Sequence, residues 1–237
     1  MSETTARPDA APAKRGPGRP RAQPLEEQRR RVLDAARTVI AQQGYHGATI
    51  EAVARGANTP RPTVYELFGS KDDLYVAVVD DSADRVVARL SASFTESDGY
   101  SLEAFVRHNF TAVFDLFEAD RDAVTVLLNA EHSSVDRPTE VAVDVRRRVL
   151  HEISGFTRSR WEVLGVDIGD AADVMAIMFF RMAEGLALRQ ADDAGWDRDA
   201  FIDLLTEFTL GGIMRLWESQ EVLVAAGRRS RPKQAGQ

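Results

Sequence analysis

The sequence has no cysteine, which excludes a disulfide scaffold, a thiolate zinc site and a cysteine nucleophile. No run of about eighteen apolar residues occurs, so no membrane span and no membrane partner are expected. Residues 1–22, MSETTARPDAAPAKRGPGRPRA, are basic and Pro/Ala-rich. They lack the apolar stretch of a secretory signal, and a cytoplasmic location is the expectation. There is no HExxH, P-loop, GxSxG or dinucleotide fingerprint. Histidine is scarce, at His46, His108, His132 and His151. The pairs Glu131-His132 and His151-Glu152 are chain neighbours, which do not face the same way on a helix. The expectation is a protein that is not an enzyme and has no cofactor and no metal. No segment sustains a period-two alternation of apolar and polar residues, which argues against sheet.

What is present suffices for a core: 237 residues, 44% of them hydrophobic. The net charge of −7 is unevenly placed. Residues 1–75 hold twelve Lys/Arg against nine Asp/Glu, and the remainder holds eighteen against twenty-eight. A small nucleic-acid-binding head on an acidic body would show this asymmetry.

Residues 1–24 contain five prolines and few large apolar side chains, too few to offset the entropy of ordering, and read as a basic arm without fixed structure. From Leu25 the pattern is helical: Val32, Leu33, Ala36, Val39 and Ile40 recur at three- and four-residue steps, and Gly44 suits the position after the helix end. Thr49 is a good N-cap for a two-turn helix carrying Ile50, Val53, Ala54 and Ala57, which Asn58 ends in the left-handed conformation. Thr59 reads as the next N-cap, with Pro60 at the first helical position and Pro62 in the first turn. Gly69 breaks that helix after Phe68, and Ser70 with Asp73 forms a capping box opening a long helix to about Ala92. Further helices are expected near 101–119, 121–131, 138–164, 170–192 and 198–219. The fold class expected is all-α, about nine helices. The divisions expected are an arm over 1–24, a helix-turn-helix head over 25–70, a ligand-binding and dimerisation body over 71–220 and a flexible tail over 221–237.

Residues 45–75, YHGATIEAVARGANTPRPTVYELFGSKDDLY, carry the functional signal. Two short helices joined near Ala57-Asn58-Thr59 form a helix-turn-helix, whose second helix enters the major groove of double-stranded DNA N-terminal end first. That end carries Thr59, Arg61, Pro62, Thr63 and Tyr65. Arg61 can donate two bonds to a guanine, Thr63 can meet a thymine methyl or a phosphate, and Tyr65 can reach a phosphate. Val64, Leu67 and Phe68 fall on the opposite face, toward Val53, Val39 and Ile40.

Thr49-Ile50 with Val53-Ala54, then Ala57, Thr63-Val64-Tyr65, Phe68 and Ser70-Lys71 with Leu74 resemble the DNA-binding motif of the tetracycline-repressor (TetR) family. Asn58 stands where the family has a turn glycine, and Thr59-Pro60 where it has Val-Ser. The resemblance implies an all-helical homodimer, a pseudo-palindromic operator, a variable C-terminal domain for a small-molecule ligand, and usually repression relieved by that ligand. It also implies a phosphate contact for Lys71, and Thr49 joins the expected DNA-binding residues. Ala183-Glu184-Gly185-Leu186-Ala187-Leu188 and Leu210-Gly211-Gly212-Ile213 resemble, more loosely, the two helices that form the family's dimer bundle.

Pro17-Gly18-Arg19-Pro20-Arg21 resembles an AT-hook, so Arg19 and Arg21 are expected in a narrow A·T minor groove, whose negative potential draws in arginine. In the body, aromatic and methionine side chains suggest a pocket between helices for a still unidentified small molecule: Phe105, Phe114 and Phe117, Trp161, and Met175, Met178, Phe179 and Met182. His108, Asn109, Asn129 and Arg181 are the polar candidates among them, with Glu184 as the alternative partner of Arg181.

Overall fold

The computed structural model describes residues 25–96, 99–133, 135–163, 165–193 and 195–227. The arm, with Arg19 and Arg21, lies outside the described residues. Ten helices are described: α1 (Leu25–Gly47), α2 (Ile50–Gly56), α3 (Arg61–Phe68), α4 (Lys71–Glu96), α5 (Leu102–Ala119), α6 (Arg121–Ala130), α7 (Asp136–Val163), α8 (Ala171–Asp192), α9 (Arg198–Glu218) and α10 (Gln220–Ala226). The count exceeds the expected nine because residues 220–226, all but the first of them expected in the tail, form α10. Its Leu223 is buried with Trp161, Ile168 and Met175.

Local chemistry sets the boundaries of the head. Gly44 has φ +69° and breaks the regular run of α1 three residues before its end. Thr49 caps α2, its hydroxyl accepting from the Ala52 amide at 3.1 Å. Asn58 takes φ +49° and Gly69 φ +80°, the left-handed conformations that stop α2 and α3 sharply. At the start of α4 the Asp73 amide donates to the Ser70 hydroxyl at 3.0 Å, and that hydroxyl donates to the Asp73 carboxylate at 2.6 Å.

One capping expectation is corrected. Pro60, with extended backbone, occupies the N-cap of α3 and gives no side-chain cap, while Pro62 sits in the first turn. The left-handed turn at Asn58 folds Thr59 underneath. Its amide donates to Ala54 O at 2.9 Å, its hydroxyl donates to Ala57 O, and only 6% of its surface is exposed.

The head does not have a core of its own. Val32, Ala36, Val53 and Val64 belong to one buried cluster with Leu74, Val78 and Val79 of α4, and this cluster continues through α5, α6 and α7 to Ile202 and Leu205 of α9. Val64 is 1% exposed and Val78 fully buried. At about 0.8 kcal/mol per buried methylene, truncating either would be felt across the head-to-body junction. Packing thus crosses the boundary expected at residue 70.

Candidate DNA-reading head and ligand cavity

Helix α3 divides its faces as a groove reader requires. Val64 and Phe68 are buried, whereas Arg61, Pro62 and Tyr65 are exposed and Thr63 is half-buried. The side of α3 turned away from the core therefore carries a guanidinium, a hydroxyl and a phenol. Thr59 is not part of that surface: it is buried and its hydroxyl is already bonded to the turn. Arg61 is not free either. Its Nη1 lies 2.5 Å from Oε1 of Glu51 on α2. The C-terminal end of α3 is fastened by α1: the Arg29 guanidinium lies 4.3 Å from the centre of the Phe68 ring and donates to Leu67 O.

Lys71 and Tyr45 form a second clasp where α1 meets α4. The Lys71 ammonium sits 4.7 Å above the Tyr45 ring and reaches His46 O at 3.4 Å. Tyr45 stacks on Tyr75 with centroids 4.6 Å apart, and its hydroxyl donates to Asp72. That hydrogen bond, with burial second, pushes the Tyr45 pKa up to about 12. Lys71 thus spends one of its three donors on His46 O as it holds the start of α4.

In the body, a cavity of about 110 Å³ lies among five helices. Its wall is almost wholly apolar: Leu90 and Phe94 of α4, Phe105 and Phe110 of α5, Phe156 and Trp161 of α7, Met175 and Phe179 of α8, Ile213 of α9. Phe105 and Phe156 stack face to face with centroids 3.5 Å apart, and the Arg160 guanidinium lies 4.8 Å from the Phe156 ring centre. Three polar lining groups matter. Asn109 is engaged, donating to Phe105 O at 2.9 Å and accepting from Ser93 at 3.1 Å. Arg160 forms no ion pair among the described residues, and its guanidinium lies over the Phe105 and Phe156 rings. The Thr209 hydroxyl is buried and has no hydrogen-bond partner among the described residues. A buried hydroxyl without a partner costs about 1–3 kcal/mol, so it favours any ligand group that can pair with it.

The expected pocket residues divide accordingly. Phe105, Asn109, Trp161, Met175 and Phe179 line the cavity. Phe114 is 1% exposed and packs into the core, and Phe117 lines a separate, smaller cavity of about 50 Å³. His108 turns away, with its ring edge-on to Tyr100. Met182 packs against the core cluster, and Met178 is exposed on the outer face of α8. Arg181 is also exposed and pairs with Glu184 at 2.6 Å. The reason is spacing: Arg181 follows Ile177 and Met178 on the outer stripe of α8, on a different side of the helix from Met175 and Phe179. Arg160 and Thr209 were not singled out. Arg160 had a signal: no acid lies three or four residues away on either side, and Phe156 lies one turn before it. Thr209 had none, because a threonine on an apolar face usually satisfies itself against its own helix, as Thr206 does with Ile202 O.

The outer faces of α8 and α9 leave large apolar groups uncovered: Val174, Ile177 and Met178 on one, Leu204, Phe208 and Met214 on the other. Their spacing makes a stripe along each helix, and Gly211 and Gly212 on α9 are exposed with nothing within 4 Å of where a side chain would begin. A contiguous apolar face of this kind marks an interaction surface.

Residues 32–78 match the family of bacterial regulatory proteins called the tetR family. The HTH-type transcriptional activator FasR of Mycolicibacterium smegmatis is 26% identical over 200 residues, covering 80% of this chain and 84% of its own. IcaR of Staphylococcus aureus, a negative regulator of a biofilm operon, is 27% identical over 88 residues, 37% of this chain and 47% of its own. Among solved structures, the regulator FadR of Bacillus subtilis in complex with stearoyl-CoA shares the fold at a TM-score of 0.62 and 18% identity, over 75% of this chain and 95% of its own. Residues 32–78 thus carry a DNA-binding segment of the tetR family, and over most of its length the chain is similar to a helix-turn-helix transcriptional regulator.

Proposed function

We propose that this regulator is a homodimeric repressor whose grip on a pseudo-palindromic operator is released by an apolar ligand carrying one anionic or polar group. The observation that carries the reading is the path of α4. Its first residue, Lys71, clasps the end of α1, and its Leu90 and Phe94 line the cavity. Twenty-six helical residues span roughly 39 Å at 1.5 Å each. A ligand that spreads α4 from α5 and α7 therefore moves the helix that seats the head. Two heads in a two-fold dimer must address half-sites about 34 Å apart, and a change in their separation lowers affinity. By linkage, operator DNA then weakens the ligand by the same factor.

Within the head, Arg61 is assigned to a guanine edge, Thr63 to a base or phosphate, and Tyr65, Thr49 and Lys71 to phosphates. Pro62 shapes the first turn. Arg19 and Arg21 are assigned to the flanking minor groove. In the body, aromatic side chains suit a hydrocarbon chain, and Arg160 and Thr209 are the groups that would meet its polar end. The stearoyl-CoA held by the Bacillus FadR joins such a hydrocarbon chain to a larger, multiply anionic head, so a fatty acyl thioester, its chain in the cavity, is the ligand class proposed.

The test begins with operators selected from a random duplex pool by the purified full-length protein. Stearoyl-CoA should raise the melting temperature and weaken operator binding, and Arg160→Ala and Thr209→Val should reduce both effects together. Thermal stabilisation that leaves operator affinity unchanged would contradict release. The name of the Mycolicibacterium relative favours a second reading, activation. In a reconstituted transcription assay on the selected operator, higher output with the protein than without it would establish that reading over repression.

A further inference from the structure

A carboxylate on the DNA-facing side of a helix-turn-helix calls for a physical reason. Glu51 occupies the first turn of α2, and its Oε1 lies 2.5 Å from Nη1 of Arg61, the first residue of α3. Both side chains are about half exposed, at 48% and 52%. An ion pair so exposed adds little to folding stability. Facing a polyanion, an unpaired acid at this position would repel phosphates. The pair therefore has its main consequence at the DNA surface.

We propose that Glu51 is a specificity-determining positioning residue that makes Arg61 a reader of bases instead of a phosphate anchor. The inference rests on the base contact proposed for Arg61. A guanidinium has five N–H donors in a planar fork. Glu51 engages one nitrogen and leaves the other edge free to donate to O6 and N7 of a guanine. It also fixes the long side chain in one orientation, reducing the rotamer entropy lost on docking. On random DNA the effect is opposite in sign. The Glu51 charge offsets that of Arg61, so the pair attracts phosphates weakly and releases few counterions. Where the guanine is present, the aligned fork pairs with it. Where it is absent, the pair gives no compensating contact. Glu51 thus lowers affinity for random DNA more than affinity for the operator.

The experiment measures full-length wild type, Glu51→Gln, Arg61→Ala and the double variant on three duplexes at two salt concentrations. The duplexes are the selected operator, the operator with its Arg61-dependent G·C pair replaced, and a random sequence. Glu51→Gln should bind random DNA several-fold tighter, with a steeper salt dependence, and its operator-to-random ratio should fall about tenfold. Its discrimination against the replaced base pair should fall as well. In the Arg61→Ala background, Glu51→Gln should no longer change that discrimination. Equal gains on operator and random DNA would overturn the proposal, since Glu51 would then be a plain repulsive charge. If Arg61→Ala loses affinity equally on all three duplexes, the base contact of Arg61 itself fails, a result recognisable without Glu51.

Discussion

Arg37 of α1 and Asp81 of α4 are joined at 2.5 Å, with the Arg37 side chain only 9% exposed. The pair is the centre of a ladder. Arg37 also holds Asp34 at 3.0 Å, and Arg85 of α4 takes Asp81 at 3.1 Å, Asp34 at 3.3 Å and Asp120, before α6, at 3.6 Å. Thr38 of α1 donates to Asp122 of α6 at 2.6 Å. The head is thus fastened to α4 and to α6 together, and motion of either reaches α1.

Asp81→Ala should remove one of the two carboxylates satisfying the buried Arg37 and one of those holding Arg85. A charge-assisted hydrogen bond of this kind contributes about 1.5–3 kcal/mol, and the expected loss of unfolding stability lies in that range. Urea unfolding with an unchanged m-value checks it. A loss below about 0.5 kcal/mol would mean that Asp34 suffices for Arg37.

Arg85→Ala should uncouple the sites while sparing each. Arg85 touches neither the cavity nor the DNA-facing surface, yet bridges α1, α4 and the start of α6. Ligand affinity without DNA and operator affinity without ligand should hold, and the factor by which each weakens the other should shrink toward one. Calorimetric ligand titration with and without operator measures that factor, and an unchanged value places the coupling elsewhere.

Much of the head was legible because its boundaries depend on single residues with strong local preferences. Thr49 as cap, Asn58 and Gly69 as stops and Ser70 with Asp73 as the start of α4 all act within one turn of chain. Thr59 was misjudged because its fate depends on where the turn at Asn58 sends it, back against the end of α2 instead of onto the start of the helix it was expected to cap. In the body, helix positions followed from periodicity, but the facing of each side chain did not. Arg181 and Met178 lie around the helix from the cavity-lining face, on the outer stripe of α8, and only packing against α5, α7 and α9 decides which stripe faces inward. The orphaned hydroxyl of Thr209 is a property of its surroundings, absent from any pattern along the chain.

The Tyr45 phenol should make the head-to-α4 junction sensitive to alkali. Its pKa is raised from 10.0 to about 12, first by the hydrogen bond to Asp72 and then by burial, so folding favours the protonated form. Stability from this group is complete below pH 10 and is lost as the pH rises through 12. Tyr45→Phe removes the hydrogen bond and the titration, so it should be less stable than wild type at neutral pH and lose less of that stability over this window. Thermal melts at stepped pH decide, and parallel curves for the two proteins would refute the assignment.

Thr49→Ala should cost about 1 kcal/mol, because the Ala52 amide loses its acceptor at the start of a seven-residue helix. Thr49→Ser should recover most of the loss. A fraying α2 also loosens Glu51, so operator affinity should fall more steeply for Thr49→Ala than its stability alone explains. If Thr49→Ala and Thr49→Ser melt alike, the hydroxyl is not acting as a cap.

Gly212→Glu separates the proposed dimer from the subunit it is built on. Gly212 lies on the exposed stripe of α9, near Phe208, and a side chain there meets nothing within 4 Å in the isolated chain. Within one subunit the change should be neutral or stabilising, since glycine is about 1 kcal/mol worse than an ordinary residue inside a helix. Between two copies it should be disruptive. A carboxylate at an apolar helix crossing loses its hydration without gaining a partner, at a cost of several kcal/mol. The expected result is a folded monomer by sedimentation, with helical circular dichroism retained. Such a monomer presents one recognition helix instead of two, so operator binding should weaken by orders of magnitude while binding to an isolated half-site changes little. A dimer that persists in Gly212→Glu would move the contact between copies away from this stripe, and the apolar face of α8 and α9 would then need a different partner.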